Sequence, residues 1–181
     1  LGDFGDYAIS TDLKMLTTSD NGRWVGVVYR IQNANGNYYP YYHLCAREKT
    51  TGGGVEFTER TSSNNWNVVL KTSSDITSLK NKYQNFTVRA MGKKISHEIN
   101  GEQVAYLTED VIGVSKTNVS AAHYPKGQIG LTMNYGTIAF KNIKVTVQEN
   151  EPEKEKIKLE LINNERYELN TINPIANIQA I

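Results

Sequence analysis

Apolar and polar residues alternate with a period of two along most of the first 147 positions, the spacing of strands with one face buried. From Tyr7 to Met15, Tyr7, Ile9, Leu13 and Met15 fall on one face, and Ala8, Ser10, Asp12 and Lys14 on the other. From Trp24 to Ile31, Val25, Val27, Tyr29 and Ile31 oppose Trp24, Gly26, Val28 and Arg30. Tyr38 to Arg47 carries aromatic residues on both faces, with Tyr41 and His43 on one side and Tyr42 and Leu44 on the other. Further strands are predicted at Val55–Thr58, Trp66–Lys71, Tyr83–Met91, Ile95–Ile99, Gln103–Leu107, Gln128–Asn134 and Thr137–Val147. Turn residues punctuate them: Asp20-Asn21-Gly22, Asn33–Asn37, Gly52–Gly54, Asn64-Asn65 and Gly92-Lys93-Lys94. Asn100-Gly101 is the strongest hairpin signal. Residues 109 to 127 read as a long loop with at most one short helical turn. Many short, evenly spaced strands predict an all-β sandwich or jelly roll of two antiparallel sheets.

The pattern then breaks. Gln148 to Lys156 is charged, contains a proline and has no apolar residue, so 148–156 is expected to be a linker after a sandwich spanning 1–147. Ile157 to Ile162 alternates again, and Asn173-Pro174 interrupts the chain. Residues 157–181 are too few to bury a core alone. They are either the first strands of a following module or an extension packed on the sandwich.

Composition narrows the partners. The 181 residues carry a formal net charge of +1, which gives no electrostatic case for nucleic acid or an anionic membrane surface. No apolar run approaches the roughly 20 residues of a membrane-spanning helix, so no membrane insertion is expected. Cys45 is the single cysteine, which excludes an internal disulfide and fits bacterial export better than eukaryotic secretion. The chain opens on Leu1 without a signal peptide, as expected for a processed or excised segment. Asn85-Phe86-Thr87 and Asn118-Val119-Ser120 match the glycosylation pattern, as chance allows in an Asn-rich chain. Eleven Tyr against four Phe and two Trp favour surfaces that meet amphipathic ligands, although sheets favour Tyr in any case.

One stretch has a recognisable grammar. It runs from Tyr83 through Gly92-Lys93-Lys94 to the Asn100-Gly101 hairpin and Val104, then Gly127-Gln-Ile-Gly-Leu131, then Ile138-Ala-Phe-Lys-Asn-Ile-Lys-Val145. This resembles a bacterial concanavalin/laminin-G-like family containing carbohydrate-binding module family 66 and the 3-keto-disaccharide hydrolase domain. Gly26-Val-Val-Tyr-Arg30 is similar to that family's Gly-x-x-x-Arg strand. The resemblance covers roughly residues 7 to 147 and implies a concanavalin/laminin-G-like jelly roll. It also implies that an Arg at the place of Arg30 lines the ligand site.

Saccharide recognition needs flat rings for the C–H faces and charged or amide groups for paired hydroxyls. If Val25, Val27, Tyr29 and Ile31 are core, the alternation turns Arg30 outward with Gly26 and Val28, and Gly26 leaves room above the sheet. Glu56, between Val55 and Phe57, also projects outward, where it would suit a diol beside an arginine. Tyr41 and His43 share a face, and His43 has no partner at metal-ligand or triad spacing. Trp66 follows Asn64-Asn65 at a strand start, suited either to stacking or to capping the core. Tyr135, before Gly136, sits at a turn of the kind that carries binding residues. His123 and Tyr124 in the long loop are weaker candidates.

Catalytic signatures are sparse. A laminarinase-type Glu-x-Asp-x-x-Glu strand is absent, Glu56 and Glu59 point to opposite faces, and Glu109-Asp110 is an adjacent pair. No zinc-protease, Gly-x-Ser-x-Gly or phosphate-loop motif occurs. Cys45 has no evident basic partner and is expected to be buried or inert. No cofactor is expected beyond a structural calcium ion, for which Asp20-Asn21-Gly22, Asp3 and Asp6 would supply oxygens; turn chemistry alone also accounts for Asp-Asn-Gly. The expected function is a non-catalytic carbohydrate-binding module of a larger secreted or surface bacterial enzyme, with a neighbouring catalytic domain, recognising a terminal sugar. The alternatives are a glycoside-acting domain related to the 3-keto-disaccharide hydrolases and a protein-binding module of an adhesin.

Overall fold

Alternation along Tyr7–Thr18 (β1) buries Tyr7, Ile9, Leu13 and Met15 completely while their neighbours stay half-exposed, so β1 is a strand with one dry face. The computed structural model describes residues 4–20, 22–32, 38–48, 54–72, 79–107, 124–147, 158–161, 167–171 and 175–177. The further strands are Trp24–Ile31 (β2), Tyr41–Arg47 (β3), Val55–Ser62 (β4), Asn65–Thr72 (β5), Gln84–Met91 (β6) and Lys94–Ile99 (β7). Glu102–Leu107 (β8), Gln128–Met133 (β9), Gly136–Val147 (β10), Lys158–Leu161 (β11), Tyr167–Thr171 (β12) and Ile175–Asn177 (β13) complete the order.

These strands form two sheets, and every strand pairing is antiparallel. The seven-stranded sheet runs β11-β10-β1-β6-β7-β8, with β12 also on β10. The six-stranded sheet runs β13-β9-β2-β3-β4-β5. The long β10 takes β1 on one edge, and on the other β11 at Ile143–Thr146 and β12 at Gly136–Phe140. β13 adds to β9. The strands after the charged run therefore extend both sheets of the sandwich. The run 148–156 itself lies outside the described residues, as do the turn at 33–37 and most of the long loop.

The facing layers make one core. Tyr7, Ile9, Phe86, Val88 and Ile138 of the larger sheet meet Val25, Val27, Leu44, Phe57 and Leu131 of the smaller. Asn100-Gly101 turns β7 into β8, with both residues at positive φ (53° and 81°), as a tight hairpin requires. Asp20 accepts from Gly22 N–H at 2.8 Å and pairs with Arg23 at 2.9 Å, the turn chemistry expected of Asp-Asn-Gly. Asp6 accepts from Gly92 N–H at 2.6 Å.

Candidate functional site

The outer face of the six-stranded sheet gathers rings and cations, and cross-strand register explains why. β2 places Trp24 opposite Arg47, Gly26 opposite Cys45 and Val28 opposite His43. β4 then sets Arg60 opposite Tyr41, Thr58 opposite His43 and Glu56 opposite Cys45, and β5 sets Trp66 opposite Arg60. Directly opposed side chains on one face are close enough to touch. Trp24 and Trp66 lie 5.2 Å apart between ring centroids, and the His43 ring stands edge-on to both at 4.9 and 5.7 Å. Tyr41 is edge-on to His43 at 6.2 Å and stacks on Tyr39 at 5.4 Å. The Arg60 guanidinium lies over both the Tyr39 ring (5.3 Å) and the Trp66 ring (5.0 Å).

Gly26 makes the centre of this face possible. A Cβ there would fall 2.5 Å from His43 Nε2, so the imidazole occupies the space that the missing side chain leaves. The room expected above Gly26 is thus filled from the neighbouring strand. His43 is fully buried; burial, then the Arg60 guanidinium, hold it well below the usual histidine range, so it is neutral at neutral pH. Burial likewise pushes the Tyr41 phenol and the Cys45 thiol well above their ordinary ranges. Cys45 is buried, as expected, yet Arg47 and Arg60 both face it, so the expectation that it lacks a basic neighbour is corrected.

Of the residues singled out in the sequence, Tyr41, His43, Glu56 and Trp66 come together here. Glu56 is on the expected face but 4% exposed, and it pairs with Arg47 at 2.5 Å. Arg30 is a correction. The β2–β9 pairing slips one residue between Val28 and Ile31, and Arg30 takes a left-handed conformation (φ 50°) at that bulge. The alternation stops there, and the side chain turns between the sheets instead of outward. Fully buried, it donates from Nη2 to Gly92 O at 2.7 Å, across to the β6–β7 turn, and its charge acts on Tyr7, Tyr29 and Tyr42. Arg30 and Glu56 therefore do not share a face. Tyr135 lies in the β9–β10 turn, 45% exposed, under the Arg23 guanidinium at 4.6 Å; among the described residues no ring contact joins it to the Trp24–Trp66 pair. His123 lies outside the described residues. Tyr124 faces the interior, donating to Glu59 at 2.9 Å.

Sequence reasoning put Trp24 on this face without singling it out, and missed Tyr39, Arg47, Thr58 and Arg60 as members of it. The signal was present for most of them. Tyr39, Tyr41, His43 and Arg47 keep period two, and Glu56, Thr58 and Arg60 keep it once β4 runs past Thr58 to Ser62. Glu56 and Glu59 do fall on opposite faces, so they form no acid–nucleophile pair. Among the described residues no cluster of His, Cys, Asp and Glu has the makings of a metal site.

Known structures share this architecture. The carbohydrate-binding module CBM66 from Bacillus subtilis superimposes with a TM-score of 0.58 at 15% identity, over 80% of this chain and 76% of that one. A Parabacteroides distasonis protein, whose name provisionally assigns it to the glycosyl hydrolases, gives 0.56 at 14% identity, over 82% and 75%. Sheep galectin-11 gives 0.50 at 7% identity, over 80% and 94%. At these identities the likeness is one of fold, and it is the concanavalin-like jelly roll that the motifs imply. No curated protein is similar to the chain in sequence. Residues 2–146 match the 3-keto-alpha-glucoside-1,2-lyase-like domain, so the chain belongs to that family, one of the two that its hairpin and Gly-x-x-Gly-Leu strand resemble.

Proposed function

We propose that the chain is a non-catalytic carbohydrate-binding module of a larger secreted or surface bacterial enzyme, holding a terminal sugar on the outer face of the six-stranded sheet. One observation carries this reading. His43 Nδ1 and Nε2, Thr58 Oγ1, Arg47 Nε and Arg60 Nε are all buried on that face without a hydrogen-bond partner. Buried polar atoms are almost always paired, because leaving one unpaired costs about 1–3 kcal/mol. A neutral imidazole has one donor and one acceptor nitrogen, and a sugar hydroxyl both donates and accepts. The half-buried Trp66 and Tyr39 flank these atoms and suit the C–H face of a sugar ring.

Binding is tested by calorimetry against a panel of oligosaccharides. Trp66→Ala should weaken the bound glycan about tenfold, the scale of one lost ring contact. His43→Phe keeps a ring in place but removes both nitrogens, and it should weaken binding at least as much. Glycan affinity unchanged in both variants would place the sugar elsewhere; no glycan bound at all would end the reading.

A second reading is favoured by the family's description, which names a 1,2-lyase acting on 3-keto-glucosides. Such an elimination needs a base for the C2 proton, which the C3 ketone acidifies, while the C1–O bond breaks to give a C1=C2 double bond and the departing alcohol. His43, neutral and unpaired, has the right protonation state for that base. Turnover of a 3-keto-glucoside that His43→Phe abolishes would establish it over the binding module; binding without product would exclude it.

A further inference from the structure

We infer that the proposed sugar site selects an acidic saccharide, a uronate whose carboxylate meets Arg60; this rests on the binding reading above. Arg60 is 8% exposed and its Nε is buried with no hydrogen-bond partner. Its Nη2 donates to the Ser63 carbonyl, a neutral group three residues away. Among the described residues no carboxylate pairs with it. The other guanidinium on this face, Arg47, already has Glu56 at 2.5 Å. Glu59, the next acidic residue on β4, belongs to the opposite side of the strand, where Tyr124 and Asn67 donate to it.

A guanidinium out of water and without a counter-charge is costly unless something supplies the anion. Here the cation lies over two rings, Tyr39 at 5.3 Å and Trp66 at 5.0 Å. Those contacts orient the fork without neutralising it. With Arg47 paired to Glu56 and His43 neutral, Arg60 is the cation without a carboxylate among the described side chains of this face. That charge sits beside the two rings proposed to stack the sugar. A ring bearing a carboxylate could place its C–H face on Trp66 while its carboxylate met the planar donors of Arg60, the geometry in which arginine outperforms lysine.

The experiment compares matched pairs on the full chain by calorimetry. The pairs are oligogalacturonate and its methyl ester, glucuronate-containing oligosaccharides and their carboxyl-reduced forms, and oligomannuronate with oligomannose. The acid member of at least one pair should bind ten times more tightly or better than its neutral counterpart, and the gap should shrink as salt rises from 50 to about 500 mM. Arg60→Gln should close the gap, Arg60→Lys should keep part of it, and Arg89→Gln, which removes an exposed charge from the other sheet, should leave it unchanged. If Arg60→Gln does not fold, the pair preference and salt response of the unaltered chain still decide. A neutral member that binds as well as its acid overturns the acidic selectivity while leaving the sugar site standing. No binding to any member of any pair, or to the neutral panel, overturns both.

Discussion

Gly26→Ala is expected to cost about 3 kcal/mol or more of folding stability, at the top of the range for overpacked positions. Gly26 sits in the middle of β2, opposite Cys45 of β3, with β9 on its other edge at Thr132. A Cβ there would lie 1.9 Å from the Leu44 carbonyl oxygen and 2.5 Å from His43 Nε2. The first of these is backbone held by strand pairing on both sides, so it cannot swing away as a flexible side chain would. The second is the buried ring at the centre of the outer face. The sheet must therefore open locally, and His43 must leave its place beside the two indoles. Gly92→Ala is the comparison: Gly92 also has a restrictive backbone (φ 53°), but nothing lies within 4 Å of its added Cβ. That change should cost only the left-handed penalty of about 1–2 kcal/mol. Urea midpoints of the two variants test this. If Gly26→Ala unfolds no more easily than Gly92→Ala, the close approach of β3 to β2 is not as the structure has it. Per folded molecule, Gly26→Ala should also bind glycan more weakly, whereas Gly92→Ala should not.

The strands were legible because sheets impose a period of two, and most boundaries in β1, β2, β6, β7 and β8 fall within a residue or two of the alternation. The grouping of Tyr41, His43, Glu56 and Trp66 follows from the same period once β3, β4 and β5 lie side by side. What the period could not reveal was its own interruption. Arg30 turns inward because β2 gains a residue against β9, and a bulge leaves no mark in a run such as Trp-Val-Gly-Val-Val-Tyr-Arg-Ile. A faint trace lay in Gly127: a Cβ there would meet Arg30 C at 2.5 Å, so that glycine lies flat against the bulged backbone. The other limit was orientation without burial. Facing away from the core was read as facing solvent, yet Tyr41, His43 and Glu56 are all 4% exposed or less.

Acid should destabilise the protein between pH 6.5 and 5, before most carboxylates titrate, because two histidines are buried in neutral form. His97 is fully buried on the inner face, its Nε2 2.7 Å from the Tyr29 hydroxyl and its ring 4.6 Å from Phe57, and burial pushes it down to about 3. His43 is lowered by burial first and then by Arg60, His97 and Arg47. In the unfolded chain both would accept a proton near pH 6.5. The folded protein refuses that proton, so the stability these residues contribute is complete above pH 6.5 and is lost as the pH falls below it. At about 1.4 kcal/mol per pH unit, His97 alone should remove about 2 kcal/mol by pH 5, and His43 adds to the loss in the same direction. Denaturant unfolding at pH 7.5 and 5.0 measures the difference directly. His97→Phe leaves the Tyr29 hydroxyl without its partner, so it should lower stability at both values, but it should shrink the gap between them, as should His43→Phe. The double variant should be nearly flat across this window. A gap as large in the double variant as in the unaltered chain would mean that the acid response originates elsewhere and that these two rings are not the neutral, water-excluded groups on which both the core and the proposed sugar site depend.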